Sequence, residues 1–237
     1  MYSFNSRIRY SEVDKDQCLT LGGIINYFQD CSTFQSEDIG LGIEYLTSVN
    51  RVWVVSSWQV VVNRYPKLGE AITIGTWAYD FQGFIGYRNF VMKDEHDEMI
   101  ACANSVWAYL DTETGKFARA GDREIQGYVQ EPKLDMEYAD RKIRLSGEGI
   151  ELKKIKVQEH HLDTNMHVNN EQYIKLALRL LPKHREIKHM RAEYKKSAVL
   201  GDSMYPILYT EEQNKKFTIA LCDEAKKPYT IVEFITQ

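Results

Sequence analysis

Lys156 to Arg179 reads KVQEHHLDTNMHVNNEQYIKLALR, and Arg9 to Asp30 reads RYSEVDKDQCLTLGGIINYFQD. Setting Asp14 on Asp163, an offset of 163 − 14 = 149, brings Asp16 onto Asn165 and Cys18 onto His167. A short alternating segment precedes each polar loop: Phe4, Ser6, Ile8 and Tyr10 in the first copy, Ile155 and Val157 in the second. Alternation of this kind predicts a strand. A helix-period run follows each loop. The first is expected from Leu21 through Phe34, with Ile24, Ile25, Phe28 and Cys31 at core spacing. The second is expected from Asn170 to Leu181, with Tyr173, Ile174, Ala177, Leu178 and Leu181 inward and Pro182 ending it.

Outward from these copies the plan repeats again. After each helix a strand closes on a Leu-Gly-acid turn: Trp58 to Tyr65 before Leu68-Gly69-Glu70, and His189 to Lys195 before Leu200-Gly201-Asp202. Further segments rich in Val, Ile, Tyr, Phe and Trp read as strands: Ile72 to Phe81, Phe84 to Met92 and Met99 to Leu110, then Met204 to Thr210, Phe217 to Cys222 and Tyr229 to Ile235. Each half is therefore a strand, a long helix and several antiparallel strands, which is α+β. Residues 1–120 read as the first domain, 121–149 as a charged linker and 150–237 as the second domain. Two such sheets can join edge to edge, so that one chain mimics a homodimer with its ligand site where the halves meet. A homodimer of the whole chain stays open.

The net charge of −4 and the scattered Lys/Arg groups give no footprint for nucleic acid. Those groups are Arg141, Lys142 and Arg144; Lys153, Lys154 and Lys156; and Lys195 with Lys196. They read as solvated faces or as a docking surface for an acidic partner. No window approaches the ~20 apolar residues of a membrane span, and the opening residues do not resemble a signal peptide. Cys18, Cys31, Cys102 and Cys222 form no CxxC pair, so a reducing cytoplasm is the expected setting. No cofactor motif is present.

Asp163, Asn165 and His167 put a carboxylate, an amide and an imidazole into one loop. Two readings fit. Asp and Asn before a helix serve as caps. Alternatively, imidazoles exchange protons near neutral pH, and the helix-start N–H groups of Val168, Asn169 and Asn170 suit a developing oxyanion. The degenerate first copy favours chemistry, because there the imidazole position holds Cys18 and the amide position Asp16. Cys18 as a nucleophile lacks a neighbouring His. His160-His161 lacks a third metal ligand at suitable spacing.

Asp-x-Asn-x-His-Val-Asn-Asn-x-x-Tyr, opening the second half of a duplicated α+β chain, resembles the acyl-ACP thioesterases, double hot-dog proteins that hydrolyse fatty acyl thioesters of acyl carrier protein. The Arg9 to Asp30 segment and Ala192-Glu193-Tyr194-Lys195-Lys196 also look like that family. The resemblance implies that Asp163, Asn165 and His167 are catalytic, that acyl carrier protein is the partner, and that the first half holds the acyl chain. Of its large apolar residues Trp53, Trp58, Trp77, Phe81, Phe84 and Trp107, most would then be core and a subset would line the tunnel. The plant members carry a Glu-Cys pair where this chain has Ser197-Ala198. That departure removes a cysteine nucleophile and a carboxylate, leaves Asp163 or His167 to activate water, and makes Ser197 a candidate to hold it. The rivals are an acyl-CoA thioesterase of the same fold, a non-catalytic acyl-binding protein, and a hot-dog dehydratase, for which the first half's loop at Asp14 and Asp16 lacks a histidine.

Overall fold

The structure, a computed structural model, describes residues 1–163, 165–182, 186–211 and 215–236. It divides into two compact units, Met1–Ser56 with Val60–Tyr138, and Ser57–Gln59 with Ala139–Gln237.

The first unit opens on β1 (Tyr2–Arg7), whose side chains alternate between half-buried and exposed. Tyr10, expected to extend this strand, instead starts a one-turn 3-10 helix and is exposed. The cause is Glu12, whose carboxylate accepts the Arg9 N–H at 2.9 Å and pairs with the Arg9 guanidinium at 2.7 Å, curling the chain away from the sheet. Helix α1 (Leu21–Asp38) begins where Thr20 Oγ1 accepts the Gly23 N–H at 3.0 Å and runs past the expected Phe34. Ile24, Ile25, Phe28 and Cys31 are fully buried, as their spacing requires. The helix packs on β3 (Ala71–Gln82), and Phe28 meets Phe90 of β4 (Ile85–Asp94) at 5.3 Å between ring centres.

The first half's extra length between helix and strand goes into the longer α1 and a short helix, α2 (Ile43–Ser48), absent from the sequence reading. β2 (Arg51–Val62) starts well before the expected Trp58, because the Arg51 guanidinium reaches Asp111 Oδ2 at 2.7 Å and pins its start to the end of β5 (Met99–Asp111). The strand order is β1-β3-β4-β5-β2, with the first three pairings antiparallel.

Much of the stretch read as linker packs on this unit. It contains α3 (Asp122–Gly127), and Trp77 Nε1 donates to Pro132 O at 2.9 Å while the Tyr138 hydroxyl donates to Asn89 Oδ1 at 3.0 Å. The carboxylate of Glu124 on α3 is buried, which alone would raise its pKa. Hydrogen bonds from the Tyr45 and Tyr109 hydroxyls and the Gly121 N–H outweigh burial and hold it below the usual range.

The second unit holds β6 (Ile150–Glu151), β7 (Ile155–Lys156), α4 (Asn170–Arg179), β8 (Ile187–Tyr194), β9 (Ser203–Glu211), β10 (Lys216–Cys222) and β11 (Pro228–Thr236). Its order is β8-β11-β10-β9, all antiparallel, with β6 and β7 both pairing to β9. α4 lies on β10 and β11. It stops at Arg179, short of Leu181, and buries Tyr173, Ile174, Leu176 and Ala177, while Leu178 and Leu181 stay half-buried. Each unit is a helix on an antiparallel sheet, so the hot-dog plan occurs twice. No helix among the described residues is long and apolar enough to cross a membrane.

Phe28 lies at the centre of the first unit's core. Phe28→Ala should cost about 3–5 kcal/mol in chemical denaturation; a loss below about 1 kcal/mol would place the core elsewhere.

Candidate active site

Asp163 shapes the loop that carries the candidate residues. Its Oδ1 accepts the N–H of Asn165 at 2.8 Å and of His167 at 3.2 Å. Its N–H donates to His167 O at 2.7 Å, and its carbonyl accepts the Met166 N–H at 3.1 Å. Met166 sits at φ 61, left-handed backbone that a non-glycine residue occupies only when its surroundings impose it. Asp163 Oδ2 has no donor among the described residues.

The turn at Asp14 has the same bonds. Asp14 Oδ1 accepts from Asp16 N–H at 2.9 Å and Cys18 N–H at 3.1 Å, and Gln17 stands at φ 60. A third copy joins β4 to β5, where Asp94 Oδ1 accepts from His96 and Glu98 and Asp97 takes φ 63. A fourth joins β10 to β11, where Asp223 Oδ1 accepts from Lys227 and Lys226 takes φ 59. An aspartate that closes a tight turn on its own backbone is a local solution, so it does not by itself mark an active site. The copy at Asp163 differs from its partner at Asp14 in carrying Asn165 and His167, both exposed.

A neighbouring edge fixes His167 further. His167 bridges Val199 antiparallel, and the Val168 N–H donates to Ala198 O at 2.9 Å. That edge is itself anchored: the Tyr173 hydroxyl accepts the Ala198 N–H at 2.7 Å, and Asp202 Oδ2 accepts the Val199 N–H and the Tyr229 hydroxyl, each at 3.1 Å. Burial pushes the Tyr173 phenol up to about 12, so it stays neutral in this role. Sequence reasoning took Tyr173 only as a core residue and Asp202 only as a turn. Their pairing joins residues far apart in the chain, and no spacing rule signals it.

The Val168 and Asn169 N–H groups, expected to face a thioester oxygen, instead donate inside the fold, to Ala198 O and to His161 O, each at 2.9 Å. The helix cap is neither Asp163 nor Asn165 but Asn169, whose Oδ1 accepts the Glu171 N–H at 2.9 Å. The N–H of Asn170, the first helical residue, has no acceptor among the described residues. Ser197 is exposed, next to the buried Ala198. Glu171, missed in the sequence, is buried in the first turn of α4, and burial raises its pKa.

The rings of His160 and His161 meet edge to face, with centres 4.2 Å apart. Burial and then His160 lower the pKa of His161, whose Nδ1 accepts the Gln158 N–H at 3.1 Å. No group of three or more His, Cys, Asp or Glu among the described residues is arranged to hold a metal. All four cysteines are free. Burial drives the thiol of Cys31 to about 12 and that of Cys102 to about 11, and raises that of Cys222; Cys18 is half-exposed.

Two family models match in tandem: the acyl-ACP thioesterase N-terminal domain over residues 1–128 and the C-terminal domain over residues 146–237. The chain belongs to the acyl-ACP thioesterase family. Among curated relatives of this family member, a chloroplastic acyl-[acyl-carrier-protein] hydrolase of Cuphea viscosissima is 28% identical over 75% of the chain and 46% of its own length. A chloroplastic palmitoyl-acyl carrier protein thioesterase of Gossypium hirsutum is 27% identical over 83% of the chain and 52% of its own length. The chain thus spans about half the length of these relatives. An acyl-ACP thioesterase structure from Bacteroides thetaiotaomicron aligns at TM-score 0.90 and 22% identity, covering 99% of this chain and 97% of that one. The 12:0-ACP thioesterase of Umbellularia californica aligns at TM-score 0.82 and 17% identity, covering 100% and 98%. At these identities the structures establish the shared fold.

Two outcomes follow from this geometry. Asp14→Ala and Asp163→Ala should each cost about 1–3 kcal/mol in thermal melts, because each strips the acceptor from two backbone N–H groups. Only Asp163→Ala should also depress turnover strongly, and equal effects on turnover would contradict the asymmetry of the two loops. Native alkylation, followed by mass spectrometry, should modify Cys18 ahead of the three buried thiols and leave most activity. Inactivation that tracks Cys18 would restore it as a nucleophile.

Proposed function

We propose that this chain hydrolyses the thioester of fatty acyl-acyl carrier protein, giving a free fatty acid and the carrier thiol. The observation that carries the reading is that Asn165 and His167 stand exposed on a locked turn whose three sister turns lack this pair. His167 takes a proton from water as the water oxygen attacks the thioester carbonyl carbon. When the C–S bond breaks, the imidazolium returns the proton to the departing thiolate. Asp163, held through Oδ1, offers Oδ2 to orient the water, and Asn165 positions water or carbonyl. Ser197, beside the anchored edge, is a further water ligand. The developing oxyanion falls to the Asn170 N–H and the positive end of α4, since the two preceding N–H groups are engaged.

In this reading the second unit supplies the chemistry and the first, with its fully buried apolar α1 face, holds the acyl chain. The carrier protein meets the basic side. Lys153, Lys154 and Lys156 are exposed and form no ion pair among the described residues, whereas Lys195 pairs with Glu193 and Lys196 with Asp223. Such a surface suits an acidic partner. A reducing cytoplasmic compartment fits four free cysteines.

His167→Ala should lower turnover on acyl-ACP by about 10²-fold or more with the melting temperature preserved. Asn165→Ala combined with it should add little, as expected for groups acting in one step. Thiol release measured side by side on acyl-ACP and acyl-CoA decides the carrier: faster hydrolysis of acyl-CoA would replace the proposed substrate. A near-normal rate in His167→Ala would remove the mechanism.

A further inference from the structure

Arg88 on β4 is 7% exposed, yet no carboxylate pairs with it among the described residues. Its partners are neutral. Nη1 donates to Gln35 Oε1 of α1 and to Thr76 Oγ1 of β3 (3.1 Å), and the guanidinium lies 5.1 Å from the centre of the Tyr128 ring. Nε and Nη2 have no acceptor among the described residues. A buried charge without a counter-charge is costly, and proteins normally pair it. Two buried carboxylates show how such charges are satisfied elsewhere in the chain. Glu233 meets Arg191 and Lys216, and Glu124 takes three hydrogen bonds.

The same helix that bonds Arg88 through Gln35 carries a second unpartnered group. Gln29 on α1 buries an Oε1 that has no donor. It shares a helix face with Ser36, seven residues on, whose hydroxyl is 2.8 Å from that of Tyr128, the ring Arg88 stacks on. Along β4 the same face carries Met92 and Phe90, both fully buried, before it reaches Arg88. A fully buried apolar face of β4, packed under α1, therefore ends on a cation whose Nε and Nη2 are open. A guanidinium fork takes a carboxylate side-on or a hydroxyl oxygen singly.

We infer that Arg88 binds an oxygen on the far part of the acyl chain, so that fatty acyl groups bearing a distal hydroxyl or carboxylate are preferred over plain chains of equal length. This rests on the reading that the first unit holds the acyl chain. The test is calorimetric binding of plain, terminally hydroxylated and terminally carboxylated fatty acids of several lengths, each blocked as the methyl ester at its C1 carboxyl, to the wild type, Arg88→Met and Arg88→Lys, with hydrolysis of the matching acyl-ACPs measured in parallel. At the fitting length the wild type should bind an oxygenated acid about tenfold or more tighter than the plain one, the scale of a hydrogen bond to a charged group. That ratio should fall to near one in Arg88→Met, while Arg88→Lys, which keeps the charge, retains part of it. A stronger carboxylate than hydroxyl preference would identify an acidic chain end, and the reverse a hydroxylated one. Equal binding of all three acids by the wild type at every length overturns the inference without any variant, and so does a ratio unchanged in a folded Arg88→Met. Absent hydrolysis with the binding ratio intact would sink the catalytic reading and keep the Arg88 site.

Discussion

The carboxylate of Asp163, accepting two N–H groups of its own turn, determines where Asn165 and His167 stand. Oδ1 closes the turn, Met166 is forced into left-handed backbone, and His167 is delivered to its bridge with Val199. Such a loop is held by bonds a few residues apart in sequence, so its form survives with different side chains at the tip. The copies at Asp14, Asp94 and Asp223 demonstrate this within one molecule. Rigid backbone with free choice of side chain is what a catalytic loop needs, since reacting groups must be held within fractions of an ångström.

This also explains why the repeat was readable. A turn closed by a single aspartate at fixed spacing tolerates no insertion between Asp and the residue four places on, so the offset of 149 aligns the loops and the N-caps Thr20 and Asn169 without gaps. Farther on, where α1 outruns α4 and α2 is added, the register between the halves drifts. The helices were legible because one face of each must be apolar, and the strands because their residues are β-branched and aromatic. Their ends were less so. Arg51 starts β2 through an ion pair with Asp111, sixty residues away, and Glu12 ends the β1 direction through its own bonds to Arg9.

The site residues were legible as types and spacing, but their hydrogen-bond partners were not. Helix-start N–H groups look free in sequence. Those of Val168 and Asn169 are engaged because the edge at Ala198 and the carbonyl of His161 happen to stand beside them. Burial was equally hidden. Arg88 reads as an ordinary charged strand residue, and Glu171 as an ordinary helix-start acid that the dipole would favour. Only the folded chain reveals that both are removed from water.

Duplication gives these observations a common logic. In a symmetric pair of hot-dogs each half must serve both as scaffold and as site, so every loop residue is constrained twice. Once both copies lie in one chain, that constraint lifts. Cys18 and Asp16 sit on a turn built like that of His167 and Asn165, without the chemistry. On the proposed reading the first half keeps the turn, because losing it would unpair backbone groups, and gives up the imidazole, because one suffices. Its interior is then released as well, free to place a cation such as Arg88 in a wall that a catalytic half would keep for its own chemistry. On this argument the residues that differ between the halves at matching positions carry the specialisation, and those that agree carry the fold.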